Sequence, residues 1–211
     1  MKTLIISNGT IEDTNILNKF IDESDYVICA DGGARHFYKT EFKPSVIVGD
    51  FDSLNSEILL DMRNKEIELY QFPAEKDMTD TELAIDLALK RGATDITLLG
   101  GTGSRLDHTI GNIMIMKKFV NIDANIKIVN SNNEIFITKD KLILDRQENT
   151  FVSVIPITEV AKGVTLRGFK YETNDIDFRM DETLGISNEI INEKGIIEIR
   201  EGICLVIISK D

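Results

Sequence analysis

Pro44-Ser45-Val46-Ile47-Val48-Gly49-Asp50-Phe51-Asp52-Ser53 is the stretch from which the fold can be read. Its β-branched run over 46–48 reads as a short strand buried on both faces, which points to a parallel sheet. The strand then delivers two carboxylates, Asp50 and Asp52, directly after a glycine. Like charges this close raise one another's pKa unless a cation lies between them. The nearest basic residue in sequence, Lys43, stands on the far side of the strand. Oxygen donors of this kind suit a hard ion, Mg2+ or Mn2+, rather than zinc. Open α/β sheets bind ligands beyond the carboxyl ends of their strands, where this pair falls. The same residues also read as a solvated turn, with Asp52 or Ser53 capping the helix that follows.

Working outward, the chain repeats strand, turn and helix. Leu4-Ile5-Ile6 is a buried strand closed by Ser7-Asn8-Gly9, and a helix over 15–23 sets Ile16, Leu17, Phe20 and Ile21 on one face. Tyr26-Val27-Ile28-Cys29-Ala30 is a second strand, closed by Asp31-Gly32-Gly33. Glycines there let a backbone approach a ligand closely, or simply make a strand-to-helix turn. Arg35 falls in the first turn of the next segment, where a cation opposes the helix dipole and hints at a nearby anion. A helix over 57–63 and a strand over 67–72 follow.

Thr79 and Glu82 then have the spacing of a capping box, and the helix they start is stopped by Arg91-Gly92. Asp80 lies in its first turn, where a carboxylate is stabilising in its own right. It also reads as a third carboxylate in the crevice of Asp50 and Asp52. Lys76 is placed for a phosphate, or is an exposed loop lysine. A strand over 96–99 leads into Gly100-Gly101-Thr102-Gly103-Ser104-Arg105-Leu106-Asp107-His108 and a helix to about 120. Gly101 and Gly103 begin a dinucleotide fingerprint, but Leu106 holds its third glycine position, and no phosphate-binding loop of the Gly-x4-Gly-Lys type is present. A glycine-rich turn before a helix still binds phosphate through its amides, and Arg105 adds a charged donor. His108 reads first as a helical histidine.

From Ala124 onward short strands replace the repeat: 135–137, 142–144, 151–157, 164–166, 195–200 and 203–208. Their spacing suits a β-sandwich. Asn130-Ser131-Asn132-Asn133 is the most loop-like tetrad, so the expected domains are 1–130, α/β with a Rossmann-like parallel sheet, and 131–211, all-β. The 211 residues carry a net charge of −12, which argues against nucleic acid as a partner. Cys29 and Cys204 lie in apolar runs and read as buried free thiols in a reducing compartment. Met1-Lys2 leads straight into a strand and no apolar run approaches membrane-spanning length, so a cytoplasmic protein with no membrane partner is expected.

Taken together, Asp31-Gly32-Gly33-Ala34, Gly49-Asp50-Phe51-Asp52-Ser53, Lys76-Asp77-Met78-Thr79-Asp80, the 100–108 block and Leu184-Gly185-Ile186-Ser187-Asn188-Glu189 resemble the thiamine pyrophosphokinase family over essentially the whole chain. The resemblance implies a nucleotide-binding catalytic domain followed by a thiamine-binding sandwich. It implies transfer of an intact diphosphate from ATP to the hydroxyethyl oxygen of thiamine with Mg2+, giving thiamine diphosphate and AMP. On it, Asp50, Asp52 and Asp80 hold the metal, and Asp31, Gly32, Gly33, Arg35, Ser53, Lys76, Thr79, Arg105 and Asp107 line the nucleotide side. Asp80 or Asp107 are the candidates for a general base. Ser187 and Asn188 bind thiamine, and the chain is expected to form a homodimer. The chain has no tryptophan, which some family members place against the thiamine rings. Phe169, Tyr171 and Met180 are candidates for that place, although sandwich core is the first reading of all three. Two rivals are a metal-dependent phosphohydrolase, with water as nucleophile, and a module that binds ATP without turnover.

Overall fold

The computed structural model describes residues 1–38, 40–52, 54, 56–73 and 77–210. They form two compact units, one of Met1–Ile115 with Asn121–Ser131 and one of Met116–Val120 with Asn132–Asp211.

The first unit is α/β. Its strands are β1 (Lys2–Ile6), β2 (Tyr26–Ala30), β3 (Val46–Gly49), β4 (Glu68–Gln71), β5 (Asp95–Leu99) and β6 (Asn125–Val129). They pair in the order β4-β3-β2-β1-β5-β6, every pair parallel, as the apolar runs required. From β1 the chain steps outward to β4, then returns across β1 to β5. The reversal of strand order therefore falls between β1 and β5, the usual ligand crevice of such sheets. The helices are α1 (Thr14–Asp22), α2 (Ser56–Asn64), α3 (Asp80–Lys90) and α4 (Leu106–Phe119). Asp13 caps α1 by accepting the Asn15 N–H at 2.8 Å. Leu4, Ile6, Cys29, Phe37, Ile47 and Met62 are among the buried core.

One connection differs from expectation. After β2 the chain enters a 3-10 helix at once, Asp31–Phe37, which is long for that helix type. Arg35 thus lies in its last turn, not its first, and the dipole argument for an anion at Arg35 falls away.

The second unit is all-β: β7 (Asn133–Thr138), β8 (Lys141–Asp145), β9 (Phe151–Pro156), β10 (Val160–Arg167), β11 (Thr173–Arg179), β12 (Lys194–Glu198) and β13 (Cys204–Ser209). Antiparallel sheets β7-β13-β9 and β11-β10-β12-β8 share one core that includes Leu144, Val154, Val164, Phe178, Ile197 and Val206. Both cysteines are buried free thiols, and burial pushes Cys204 up to about 12. Among the described residues no helix is long and apolar enough to cross a membrane.

Candidate active site

Three carboxylates meet at the carboxyl ends of β2 and β3. The register Ala30↔Val48 sets Asp31 beside Gly49, one residue before Asp50. A Cβ on Gly49 would stand 2.8 Å from that of Asp31, so glycine there is what allows the approach. Carboxylate oxygens of Asp31, Asp50 and Asp52 lie within 4.8 Å of one another, in steps from buried Asp31 to exposed Asp52.

The backbone carrying them is strained. Asp31 (φ 41) and Phe51 (φ 65) both sit in the left-handed region that favours glycine. Packing of the Phe51 ring against the core holds the second kink, and Asp50 Oδ1 accepts the Asp52 N–H at 3.1 Å across it. Asp52 is held above the usual carboxylate range, first by its side-chain contact and like charge with Asp50, then by Asp31 and Asp80. Among the described residues, the charges acting on it all push the same way. An all-oxygen, like-charged trio suits a hard divalent cation, which would relieve that repulsion.

Asp80 is the first residue of α3. Thr79 caps that helix, its hydroxyl accepting the Glu82 N–H at 3.2 Å, so the expected N-terminus is present. Asp80 is near enough to act on Asp52, yet the geometric trio uses Asp31 in its place. Sequence reasoning put Asp31 on the nucleotide side. The signal that could have moved it was the glycine immediately before Asp50, a point of close backbone approach. Ser53 and Lys76 lie outside the described residues.

Gly33 packs so tightly under β1 that a Cβ would run into the Ile6 carbonyl. Arg35 donates to the backbone oxygens of Asn8 (2.6 Å) and Gly9 (3.3 Å). Arg105 and Asp107 pair with each other at 2.6 Å on the surface, holding the Asp107 carboxyl below its ordinary range.

In the β unit, Ser187 is exposed and left-handed (φ 57), while Asn188 is buried. The Asn188 carboxamide accepts the Tyr171 N–H (3.0 Å) and the Glu189 N–H (2.9 Å), and donates to the Tyr171 carbonyl (2.8 Å). It therefore pins the loop carrying Tyr171, leaving the neighbouring Ser187 hydroxyl outward. Of the three candidates to face a ring, only Phe169 is core, 1% exposed; Tyr171 and Met180 are 64% and 61% exposed, against the expectation of core. A cleft of about 500 Å3 runs beside this block, lined in part by Arg146, Phe151, Glu189 and Ile190.

Comparison with known proteins covers the same ground. Residues 17–129 match the family model "Thiamin pyrophosphokinase, catalytic domain", and residues 134–204 match "Thiamin pyrophosphokinase, vitamin B1 binding domain". The thiamine pyrophosphokinase of Bacillus subtilis is 33% identical over 214 residues, covering all of both chains. Its crystal structure superimposes with a TM-score of 0.89, at 31% identity and full coverage of both. The Geobacillus thermodenitrificans thiamin pyrophosphokinase gives 0.87 at 32% identity, covering 100% of this chain and 98% of that one. Matched along both its α/β and its β unit, the chain belongs to the thiamin pyrophosphokinase family.

Proposed function

We propose that Asp31, Asp50 and Asp52 form the centre at which an intact diphosphate passes from ATP to the hydroxyethyl oxygen of thiamine, leaving AMP. Family membership makes the chain an enzyme that transfers pyrophosphate to thiamine; the residues, the metal and the leaving group are the proposal. The observation that carries it is the trio of like-charged oxygens within 4.8 Å. The donor set fits Mg2+, which when bound supplies neutralising charge to phosphoryl oxygens.

The chain's own residues do the rest by positioning. Thr79 fixes the start of α3, whose N-terminal amides favour an anion. Gly100, Gly101 and Gly103 bring backbone close at the end of β5, beside the nucleotide. Asp80 is the better general base for the thiamine hydroxyl, because Arg105 grips both oxygens of Asp107 and lowers its basicity. Ser187 presents a hydroxyl to thiamine. Tyr171, held at its backbone by Asn188, offers the exposed ring that the missing tryptophan would otherwise supply.

The proposal extends to a cytoplasmic homodimer in which the β domain of one chain serves the α/β domain of the other. Mixing Asp50→Asn with Ser187→Ala chains should then restore part of the activity. No recovery despite proven subunit exchange overturns the shared site. The leaving group is tested by chromatography of early nucleotide products with ATP, Mg2+ and thiamine. AMP in step with thiamine diphosphate is expected. ADP with thiamine monophosphate overturns the reaction, and phosphate release without thiamine makes the chain a phosphohydrolase.

A further inference from the structure

We infer that Asn8 is a nucleotide-binding residue, its carboxamide donating to a phosphate oxygen of ATP at the crevice between β1 and β5. The inference rests on the ATP-dependent reading above. Asn8 follows β1, on one side of the point where strand order reverses, and the Gly100-Gly101 turn follows β5 on the other. Ligands of open α/β sheets lie across that point.

The backbone around Asn8 is fastened on every side. Ser7 N–H donates to the Leu99 carbonyl and Gly9 N–H to the Gly100 carbonyl, both at 2.9 Å. Arg35 donates to the Asn8 carbonyl at 2.6 Å, and His36 Nε2 lies 3.1 Å from the Gly9 carbonyl oxygen. The Ser7 hydroxyl is bonded to that of Thr81, in the first turn of α3, at 2.9 Å. Yet the Asn8 side chain is exposed and has no hydrogen-bond partner among the described residues. An exposed amide on a rigid mount binds with little ordering cost.

Its direction is set by Gly32. A Cβ there would fall 2.5 Å from Asn8 Nδ2 and 2.6 Å from Oδ1, so the carboxamide occupies the space that glycine leaves. That places it over the turn that begins at Asp31, a member of the carboxylate trio, and hence on the phosphate side of the nucleotide. The same geometry makes Arg35 a positioning residue: its guanidinium holds the loop, and Asn8 meets the ligand.

The test is calorimetric titration of the full chain with Mg-ATP, without thiamine, alongside steady-state kinetics. Asn8→Ala should weaken ATP binding on the order of tenfold, the size of one hydrogen bond to a charged group. Asn8→Asp should weaken it further, since a carboxylate repels the polyanion; if Asn8→Asp binds better than Asn8→Ala, the partner is a hydroxyl and the phosphate assignment is overturned. The KM for thiamine should stay within about twofold of wild type in Asn8→Ala, the size of a bystander effect. Gly32→Ala, which displaces the carboxamide, should mimic Asn8→Ala and add little on top of it. Should Gly32→Ala not fold, Asn8→Ser serves with melting temperature as the control. Wild-type ATP affinity in the Asn8 variants overturns the inference while the enzyme's turnover stands. Wild-type ATP binding without thiamine-dependent turnover overturns the reaction and leaves the Asn8 comparison readable. No ATP binding by wild type overturns both.

Discussion

The carboxyl edge of the parallel sheet and the surface of the β unit treat acidic residues in opposite ways. In the β unit acids face cations across strands and turns: Lys141 with Glu198 at 2.9 Å, Lys162 with Glu201 at 3.0 Å, Arg200 with Asp175 at 2.7 Å. Each is a surface pair of small individual worth, yet none is frustrated. At the edge of β2 and β3 three acids converge on strained backbone, and among the described residues the charges acting on Asp52 all raise its pKa. That contrast is what supports the proposal of a cation-binding centre at this edge.

The sharpest way to break the contrast is to remove its charges. Asp50→Asn and Asp52→Asn should each lower turnover by at least about 10–100-fold, the loss seen even for outer metal partners. Melting temperature should hold or rise slightly, because repulsion is relieved. Near-normal turnover at saturating Mg2+ would show that the trio is only a solvated turn. The geometry also ranks the third ligand. Asp31→Asn should raise the Mg2+ concentration for half-maximal activity more than Asp80→Asn does, and the reverse order would restore Asp80 to the trio.

The β side of the comparison predicts the opposite division between stability and activity. Asn188 makes three hydrogen bonds from a buried carboxamide, so Asn188→Ala should cost roughly 1–3 kcal/mol by denaturant titration. Ser187→Ala, at an exposed side chain, should change stability by no more than about 0.5 kcal/mol. Its effect should fall on the KM for thiamine. If both variants shift stability equally, the split between a structural Asn188 and a substrate-facing Ser187 is wrong.

The parallel sheet was legible because strands buried on both faces are unbroken apolar runs, as in Tyr26-Val27-Ile28-Cys29-Ala30. The β11 strand was not, since Thr173-Asn174-Asp175-Ile176-Asp177-Phe178-Arg179 is an edge strand whose only buried residue is Phe178. Its left-handed Asp175 and the register shifts against β10 further blur the alternation. The short β6 run, Asn125-Ile126-Lys127-Ile128-Val129, was absorbed into the change of texture at the domain boundary. For the site, Asp50 and Asp52 were legible from local spacing. Asp31 as their partner was not, because it depends on the lateral register of two strands. The surroundings of Arg35 were hidden for a related reason: its partners, the Asn8 and Gly9 carbonyls, follow a different strand, and only the folded sheet brings the loops together.

His36 gives the smallest effect, and it tests whether that loop cluster contributes to stability. Burial, the largest cause, lowers its pKa from the ordinary 6.5, and the neighbouring Arg35 charge adds to it; the Gly9 carbonyl opposes both. The folded chain therefore resists a proton that the unfolded chain accepts once pH falls below 6.5. With the unfolded state binding more protons, stability declines as pH drops from 6.5 towards the lowered value and levels off below it. Above 6.5 both states are neutral at this residue and His36 contributes no slope. His36→Gln can keep a donor for the Gly9 carbonyl and has nothing to titrate, so it should flatten that part of the profile. The measurement is melting temperature from pH 7.5 to 5 for both chains, at low salt and matched buffer. Parallel curves would mean that His36 is not buried against the Asn8-Gly9 loop in solution, and would loosen the mount on which Asn8 depends.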